Sequence, residues 1–129
     1  MELVTGGAGF IGSHLVDTLV AQGKRVRVFD NFSSGREDFL AHHQDSGMVE
    51  IVKGDLLDFD SLNSAMEGVE TVHHLAANPD IRLGTEVTDT DLRQGTVATY
   101  NVLEAMRNSG VKRISFSSSS AIYGEANVM

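Results

Sequence analysis

The sequence contains no cysteine, a single proline and fewer basic than acidic residues. Because cysteine is absent, the chain can form no disulfide bond and offers no thiolate ligand for zinc. The 10 lysines and arginines stand against 18 aspartates and glutamates, so the formal net charge is -8. This acidic balance argues against a nucleic-acid partner, for which a basic face is expected. No run of about 18 apolar residues occurs, which excludes a membrane-spanning helix.

The 129 residues are enough for one domain with a sizeable core. A hydrophobic content of 41% and 13 glycines are ordinary for an α/β protein. The first apolar run is broken by glycines, which is not the pattern of a signal peptide. These features favour a cytoplasmic protein.

A glycine-rich turn lies between the first apolar strand and the first amphipathic helix, within residues 3–15. Gly6 permits a tight turn, Gly9 lets a pyrophosphate approach the backbone, and Gly12 lets the helix lie close to the sheet. The free N–H groups and the positive dipole end of that helix attract phosphates. An ordinary glycine turn is the alternative. Asp30 ends the next strand, however, which is the context that dinucleotide binding requires.

The spacing G-x-x-G-x-x-G, preceded by Thr5 and containing Phe10, Ile11 and Gly12, resembles the extended short-chain dehydrogenase/reductase family. Sugar-nucleotide epimerases of the UDP-glucose 4-epimerase kind and sugar-nucleotide dehydratases belong to it. The resemblance implies that NAD is the cofactor and that a UDP-hexose hydroxyl is oxidised and re-reduced. Phe10 and Ile11 are then expected to contact the cofactor with the glycines. A dehydratase and a non-catalytic NAD-binding regulator stay open as alternatives.

Strands alternate with helices along the chain, and right-handed crossovers then predict a Rossmann-like, doubly wound parallel sheet in the order 3-2-1-4-5. We expect residues 1–129 to form an NAD-binding domain that ends after strand five and lacks a substrate lobe. The open sheet edge favours a homodimer or aggregation. The first helix is predicted to bury a stripe that includes Ile11, Leu15 and Leu19. The predicted strands are residues 3–5, 26–30, 48–53, 70–77 and 113–117. Two long helices are predicted over residues 10–22 and 86–108. Two further helices are predicted, a short one with a capping box at Ser34 and another that begins at Asp58 or Asp60.

Asp30 is predicted to accept hydrogen bonds from both hydroxyls of an adenosine ribose. A carboxylate there repels a 2′-phosphate, so NAD is preferred over NADP, although Arg36 is a cation that could accept that phosphate. The alternative for Asp30 is a helix cap. The loop that follows is expected to contact the cofactor through Asn31, Ser34 and Gly35.

The family resemblance extends to the ends of the third and fourth strands. It implies that Asp55 and Leu56 hold the edge of the adenine, while a cap for the next helix is the alternative for Asp55. The stretch His74-Leu75-Ala76-Ala77 resembles a family element in which Leu75, Ala76 and Ala77 leave room for the cofactor beside the glycine turn. His73 and His74 point to opposite faces of a strand and cannot chelate one metal ion together. We therefore predict no metal site.

Residues 117–124, S-S-S-S-A-I-Y-G, resemble a further family element. By that resemblance Ser119 is the active-site hydroxyl that hydrogen-bonds the sugar hydroxyl being oxidised, and Ser117 and Ser118 line the nicotinamide. The alternative is a polar loop after a strand. Dehydratases of the family carry an acidic pair where Ser120 and Ala121 stand, which favours the epimerase.

The family's base is a tyrosine whose pKa is lowered by a lysine four residues later. Here Tyr100 is followed four residues on by Glu104, and Tyr123 by Asn127, so the sequence contains no such pair. We expect that this polypeptide alone does not turn over substrate. The family usually has an asparagine where Gly95 stands, which weakens the expected grip on the cofactor. Arg82 is either a phosphate contact or a solvated surface residue.

Overall fold

The computed structural model describes residues 1–80, 82–119 and Tyr123. Five parallel strands form one sheet: β1 (Glu2–Thr5), β2 (Val26–Asp30), β3 (Val49–Lys53), β4 (Thr71–His74) and β5 (Arg113–Phe116). Their order is β3-β2-β1-β4-β5, which confirms the predicted topology. β1 thus occupies the centre, with β2 and β4 paired to it on either side.

Helical segments cover both faces of the sheet. They are α1 (Phe10–Ala21), α2 (Phe59–Ala65), α3 (Leu83–Glu86) and α4 (Ala98–Ser109), with a π-helical segment (Leu92–Val97) directly before α4 and two 3-10 turns (Glu37–Phe39 and Ala41–His43) between β2 and β3. Within the described part of the chain, none of these helices has the length and apolar character needed to cross a membrane.

Neighbouring residues of the central strands face opposite helical layers. Leu3 and Phe29 belong to a core cluster with residues of α2 and α4. Val4 and Val28 belong to a second cluster, which contains residues of α1. Strand residues alternate between faces, so a strand that is buried on both sides needs apolar residues at consecutive positions.

The ends of α2 and α4 follow the predicted signals. The Asp58 carboxylate accepts a hydrogen bond from the Ser61 N–H at 3.2 Å, so Asp58 is the cap of α2. α4 ends at Gly110, whose φ of 74° lies in the left-handed region that glycine adopts without strain.

Two helix predictions are wrong. Residues 34–40 form no capped helix: Arg36 stands at the N-cap of the first 3-10 turn without a side-chain cap bond. The Arg36 N–H bonds the Ala8 carbonyl, which ties this segment to the glycine turn. The expected helix over residues 86–108 is interrupted, because Val87 is extended and the π-helical segment intervenes before α4. No residue of that segment is buried, so no packing favours a regular helix there.

The predicted buried stripe of α1 is also corrected at one position. Ile11 is 71% exposed, whereas Val16 and Leu19 are buried. Ile11 and Phe10 lie in the first turn, beyond the edge of the sheet, where no strand is available to cover them.

Candidate functional site

A cavity of about 340 Å³ lies at the carboxyl ends of β1, β2, β3 and β4, where α1 begins. In open parallel sheets this is the edge at which ligands bind. Most of the residues that the sequence singled out line it: Gly6, Gly9, Phe10, Ile11, Gly12, Asp30, Asn31, Ser34, Gly35, Asp55, Leu56, Leu75, Ala76, Ala77 and Ser117. The structure therefore brings together residues that are far apart in the sequence.

Gly6 and Gly12 of the glycine turn are packed so tightly against backbone that no side chain can replace their hydrogens. Gly6 has a φ of 70°, and a Cβ there would lie 2.8 Å from the Ala76 backbone nitrogen. A Cβ at Gly12 would collide with the backbone of Gly6 and Gly7. At Gly9 a Cβ would approach only the Gly6 carbonyl oxygen, at 3.2 Å. The tight turn expected at Gly6 is confirmed. Gly12 was expected to let α1 lie close to the sheet; instead it lets α1 lie close to the glycine turn itself.

The N-terminus of α1 opens into the cavity without a side-chain cap. Its N-cap is Gly9, no side chain accepts a hydrogen bond from the first turn, and that turn contains no acidic residue. The N-terminal N–H groups of a helix lack intrahelical acceptors and carry a partial positive charge. This end of α1 is therefore suited to an anionic ligand group.

Asp30 is buried at the end of β2, and both of its carboxylate oxygens accept backbone hydrogen bonds. Oδ2 accepts from the Ala8 N–H and Oδ1 from the Phe32 N–H, each at 2.9 Å. Neither donor belongs to a helix, so the alternative of a helix cap is wrong. A carboxylate oxygen can accept more than one hydrogen bond, which leaves Asp30 able to bind ligand hydroxyls as well.

Gly35 closes the loop after β2 against the same turn. A Cβ at Gly35 would lie 2.8 Å from the Ala8 Cβ and 3.1 Å from Asp30 Oδ1. A larger residue would therefore push the loop away from the Asp30 carboxylate. The loop and the glycine turn form one wall of the cavity.

The loop after β3 is held by polar contacts from two sides. Asn31 donates to Asp55 Oδ2 at 3.3 Å, and Asp55 Oδ1 accepts from the Leu57 N–H at 2.9 Å. Because Asp58 is the cap of α2, the capping alternative for Asp55 is wrong. From α4, Asn101 donates to the Leu56 carbonyl at 2.7 Å. Asn101 was not predicted as a site residue; its polar side chain on an otherwise apolar helix face is the signal that could have identified it.

His74 ties β1, β4 and α4 together behind the cavity. Its Nδ1 lies 2.7 Å from the Thr5 hydroxyl and its Nε2 lies 3.1 Å from the Thr99 hydroxyl. The Thr5 oxygen also accepts from the Ala76 N–H at 3.4 Å. Burial of the imidazole lowers the pKa of His74 below its ordinary value of 6.5. The ring is therefore neutral in the folded chain at neutral pH.

The serines after β5 are placed unequally. Ser117 lines the cavity, and its N–H donates to the His74 carbonyl at 3.2 Å. Ser118 and Ser119 are exposed and do not line the cavity. Tyr123 is 84% exposed. Four positions used in the sequence analysis lie outside the described residues. They are Ser120 and Ala121, where a dehydratase carries its acidic pair, Gly124 at the end of the serine-rich element, and Asn127 four residues after Tyr123.

The two arginines considered as phosphate ligands are engaged elsewhere. Arg36 pairs with Asp38 at 2.9 Å and Arg82 with Asp80 at 3.2 Å, and neither lines the cavity. For Arg82 this agrees with the surface alternative. A Cβ at Gly95 would meet nothing within 4 Å, so the missing asparagine leaves open space.

Further cavity residues were not anticipated from the sequence. They come from strand ends, from loops and from the segment leading into α4: Phe29, Ser33, Gly54, Leu57, Pro79, Gln94 and Ala98. Several of these residues are sequence neighbours of predicted site residues, and nothing else in the sequence marks them.

Comparison with known proteins connects this site to a family. The model of the NAD-dependent epimerase/dehydratase family matches residues 2–128. A UDP-glucose 4-epimerase from Mycolicibacterium smegmatis is 39% identical over 124 residues, which cover 95% of this chain and 40% of that protein. A 3 beta-hydroxysteroid dehydrogenase/Delta 5-->4-isomerase from Mycobacterium tuberculosis is 39% identical over 132 residues, which cover 98% of this chain and 34% of that protein.

A solved structure of a related enzyme is also similar to this chain over part of its length. A double mutant of the dTDP-glucose 4,6-dehydratase from Streptomyces venezuelae, with NAD bound, superposes with a TM-score of 0.92 at 29% identity. The match covers 100% of this chain and 42% of that one. This chain thus spans between 34% and 42% of the length of these three proteins.

Proposed function

We propose that this chain, which belongs to the NAD-dependent epimerase/dehydratase family, is the NAD-binding part of an epimerase that acts on a UDP-sugar. The observation that carries the proposal is one cavity with two complementary ends. The uncapped N-terminus of α1 supplies N–H donors, and the buried Asp30 carboxylate supplies acceptors. A dinucleotide offers a diphosphate and a ribose diol that match these groups.

The residues around the cavity have distinct roles in this proposal. The first turn of α1, from Gly9 to Gly12, binds the diphosphate. Asp30 accepts the ribose hydroxyls, and Asp55 and Leu56 lie against the adenine edge. The small residues Ala76 and Ala77 leave room for the pyrophosphate and ribose beside the glycine turn. Ser117 and Ser118 are assigned to the nicotinamide, and Ser119 to the sugar hydroxyl of the substrate. Bound NAD supplies a hydride acceptor that oxidises the sugar hydroxyl and then returns the hydride.

The charges around Asp30 favour NAD over NADP. A 2′-phosphate would have to lie beside a buried carboxylate, where no solvent screens the repulsion. Arg36, in the segment after Asp30, is the cation that could accept a 2′-phosphate, but it pairs with Asp38. The proposal therefore assigns the selectivity to Asp30.

A dehydratase is the second candidate. The superposition on the dTDP-glucose 4,6-dehydratase, with a TM-score of 0.92, supports it as well as it supports an epimerase. Both reactions use the same cofactor site, so the choice between them belongs to residues outside the cavity walls.

Calorimetric titration of the chain with NAD and with NADP tests the cofactor assignment. We expect NAD to bind more tightly, and Asp30→Ala to weaken NAD binding more than about tenfold, because a charged acceptor is lost. Glu37→Gln, an exposed acidic residue of the adjoining 3-10 turn, is the matched control and should bind NAD as the wild type does. Thermal unfolding of both variants checks that the fold is retained. Unchanged NAD affinity in folded Asp30→Ala would contradict the proposal.

A further inference from the structure

A second cluster of polar side chains lies away from the cavity, between α1 and the second 3-10 turn. Asp17 Oδ1 lies 2.8 Å from His42 Nε2 and 2.7 Å from His43 Nε2. The donor atoms of all three side chains lie within 4.8 Å of one another. None of the three residues lines the cavity.

The backbone of the second 3-10 turn directs two neighbouring histidines, His42 and His43, to one carboxylate oxygen. Their ring centroids are only 4.1 Å apart, so both rings leave the turn on the same side. Leu40, directly before the turn, is fully buried in the core cluster that also holds Val16 and Leu19. The core thereby fixes the turn beside the part of α1 that carries Asp17.

The three side chains differ in their freedom to move. The His43 side chain is 9% exposed, whereas those of His42 and Asp17 are 56% and 45% exposed. Partial burial raises the pKa of Asp17, but hydrogen bonds with His43 and His42 outweigh it and lower that pKa below its ordinary value. Asp17 is therefore a carboxylate at neutral pH, held against one fixed and one adaptable imidazole.

Two imidazole nitrogens and a carboxylate oxygen are a donor set that zinc and its divalent neighbours prefer. With bonds of about 2.0–2.1 Å, tetrahedral ligands stand about 3.3 Å apart. To admit such an ion the two Asp17–histidine distances would lengthen by about 0.5 Å, and the two imidazole nitrogens, which lie within 4.8 Å of each other, would have to stand about 3.3 Å apart. An exposed side chain on a helix surface can make that movement by a small change in its rotamer.

We propose that Asp17, His42 and His43 bind a divalent transition-metal ion of the zinc type, with water completing its coordination. The ion replaces the two histidine–carboxylate hydrogen bonds by three metal bonds. It joins α1 to the segment that continues from the cavity loop, and so acts as a structural clamp. Simple hydrogen bonding between the histidines and Asp17 is the competing interpretation.

Titration of the metal-free, untagged chain with Co²⁺ distinguishes the two interpretations. We expect one equivalent to bind, with the visible absorption of a four-coordinate site, and Zn²⁺ to displace it. His42→Ala and Asp17→Asn should each weaken metal binding by more than about tenfold. Removing only the hydrogen-bond partner of a metal ligand typically lowers metal affinity by about tenfold or more, and these substitutions change the ligands themselves. His14→Ala removes an exposed histidine one turn away on the same helix and should leave the affinity unchanged. Non-saturable binding, or equal affinity in His42→Ala, would overturn the proposal.

Thermal unfolding provides an independent measurement. A ligand that binds only the folded chain raises its Tm, so Zn²⁺ should raise the Tm of the wild type and of His14→Ala. At the same Zn²⁺ concentration it should raise the Tm of His42→Ala by less, because the variant binds the ion more weakly and its exposed side chain can be removed without opening the core. A Zn²⁺-dependent rise in His42→Ala equal to that of the wild type would place the ion elsewhere and refute the assignment.

Discussion

His74 has hydroxyl partners at both ring nitrogens, and these partners determine its tautomer. The Thr5 hydroxyl is buried and the Ala76 N–H can only donate to it, so His74 Nδ1 is the partner that can accept the hydroxyl proton. The proton of the neutral ring is then on Nε2, where it is donated to Thr99. A second proton on Nδ1 would leave the Thr5 hydroxyl without its acceptor. The network therefore requires the neutral ring.

The burial of His74 makes the free energy of unfolding depend on pH. The pKa of His74 is lowered by burial, so below about pH 6.5 the unfolded chain binds more protons than the folded one. The free energy of unfolding should therefore fall as the pH is lowered through 6.5 toward the folded pKa, and this contribution levels off below it. Urea unfolding at about pH 7.5 and about pH 5.5 measures the loss.

His74→Gln is the comparison for that measurement, because glutamine does not titrate in this range. The difference in unfolding free energy between the two pH values should be smaller in the variant than in the wild type. The four other histidines are common to both proteins, so their contributions cancel. An equal pH dependence in both proteins would show that His74 is not the responsible group.

At the scale of elements, α4 and the segment before it differ in helix type and in burial. Helical periodicity predicts one helix over residues 86–108, yet Leu92–Val97 is π-helical and uninterrupted α-helix follows only from Ala98, which is buried. From there on the helix packs against α2, and Val102 and Ala105 join the core. Tertiary packing, rather than propensity, decides where this helix begins.

α4 also holds the loop after β3, and we predict that this contact can be removed selectively. Asn101→Ala loses the hydrogen bond to the Leu56 carbonyl and should lower the unfolding free energy by about 1 kcal/mol. It should also weaken NAD binding, since Leu56 lines the cavity. Asn108→Ala, on the exposed part of the same helix, is the control. Equal effects of the two substitutions on NAD affinity would contradict this role.

At the scale of the whole molecule, β5 is the strand at one edge of the sheet, and it is exposed along its length. Ile114 and Phe116 are 39% and 56% exposed. An edge strand with exposed apolar side chains is a surface on which another chain can pair. The opposite edge strand, β3, also exposes one apolar side chain, that of Ile51 at 42%, but the charged side chains of Glu50 and Lys53 are exposed on the same strand.

We therefore predict that this chain self-associates through β5. Light scattering at increasing concentration should give a mass above that of the monomer. Ile114→Lys should shift the chain toward the monomer, since a charged edge disfavours strand pairing. Val87→Lys, which places the same charge at an exposed loop position, should not. A wild-type chain that stays monomeric at all concentrations would refute the prediction.

The sequence by itself determined the order of the elements, the order of the strands and most of the cavity residues. Apolar runs, glycines and an acidic residue after the second strand are local signals, and right-handed crossovers leave few topologies open. The start of α2 was predicted as Asp58 or Asp60, and the structure places the cap at Asp58; a cap can be predicted this closely because it bonds residues only a few positions away.

Only the tertiary structure decided which distant side chains meet. The approach of Asn101 to Leu56, the threonine partners of His74 and the convergence of His42 and His43 on Asp17 all join elements far apart in the chain. Exposure of Ile11 and the break before α4 likewise depend on what packs nearby. A local pattern can mark a polar side chain on an apolar helix face, as at Asn101, but which group that side chain meets follows from the placement of whole helices against the sheet.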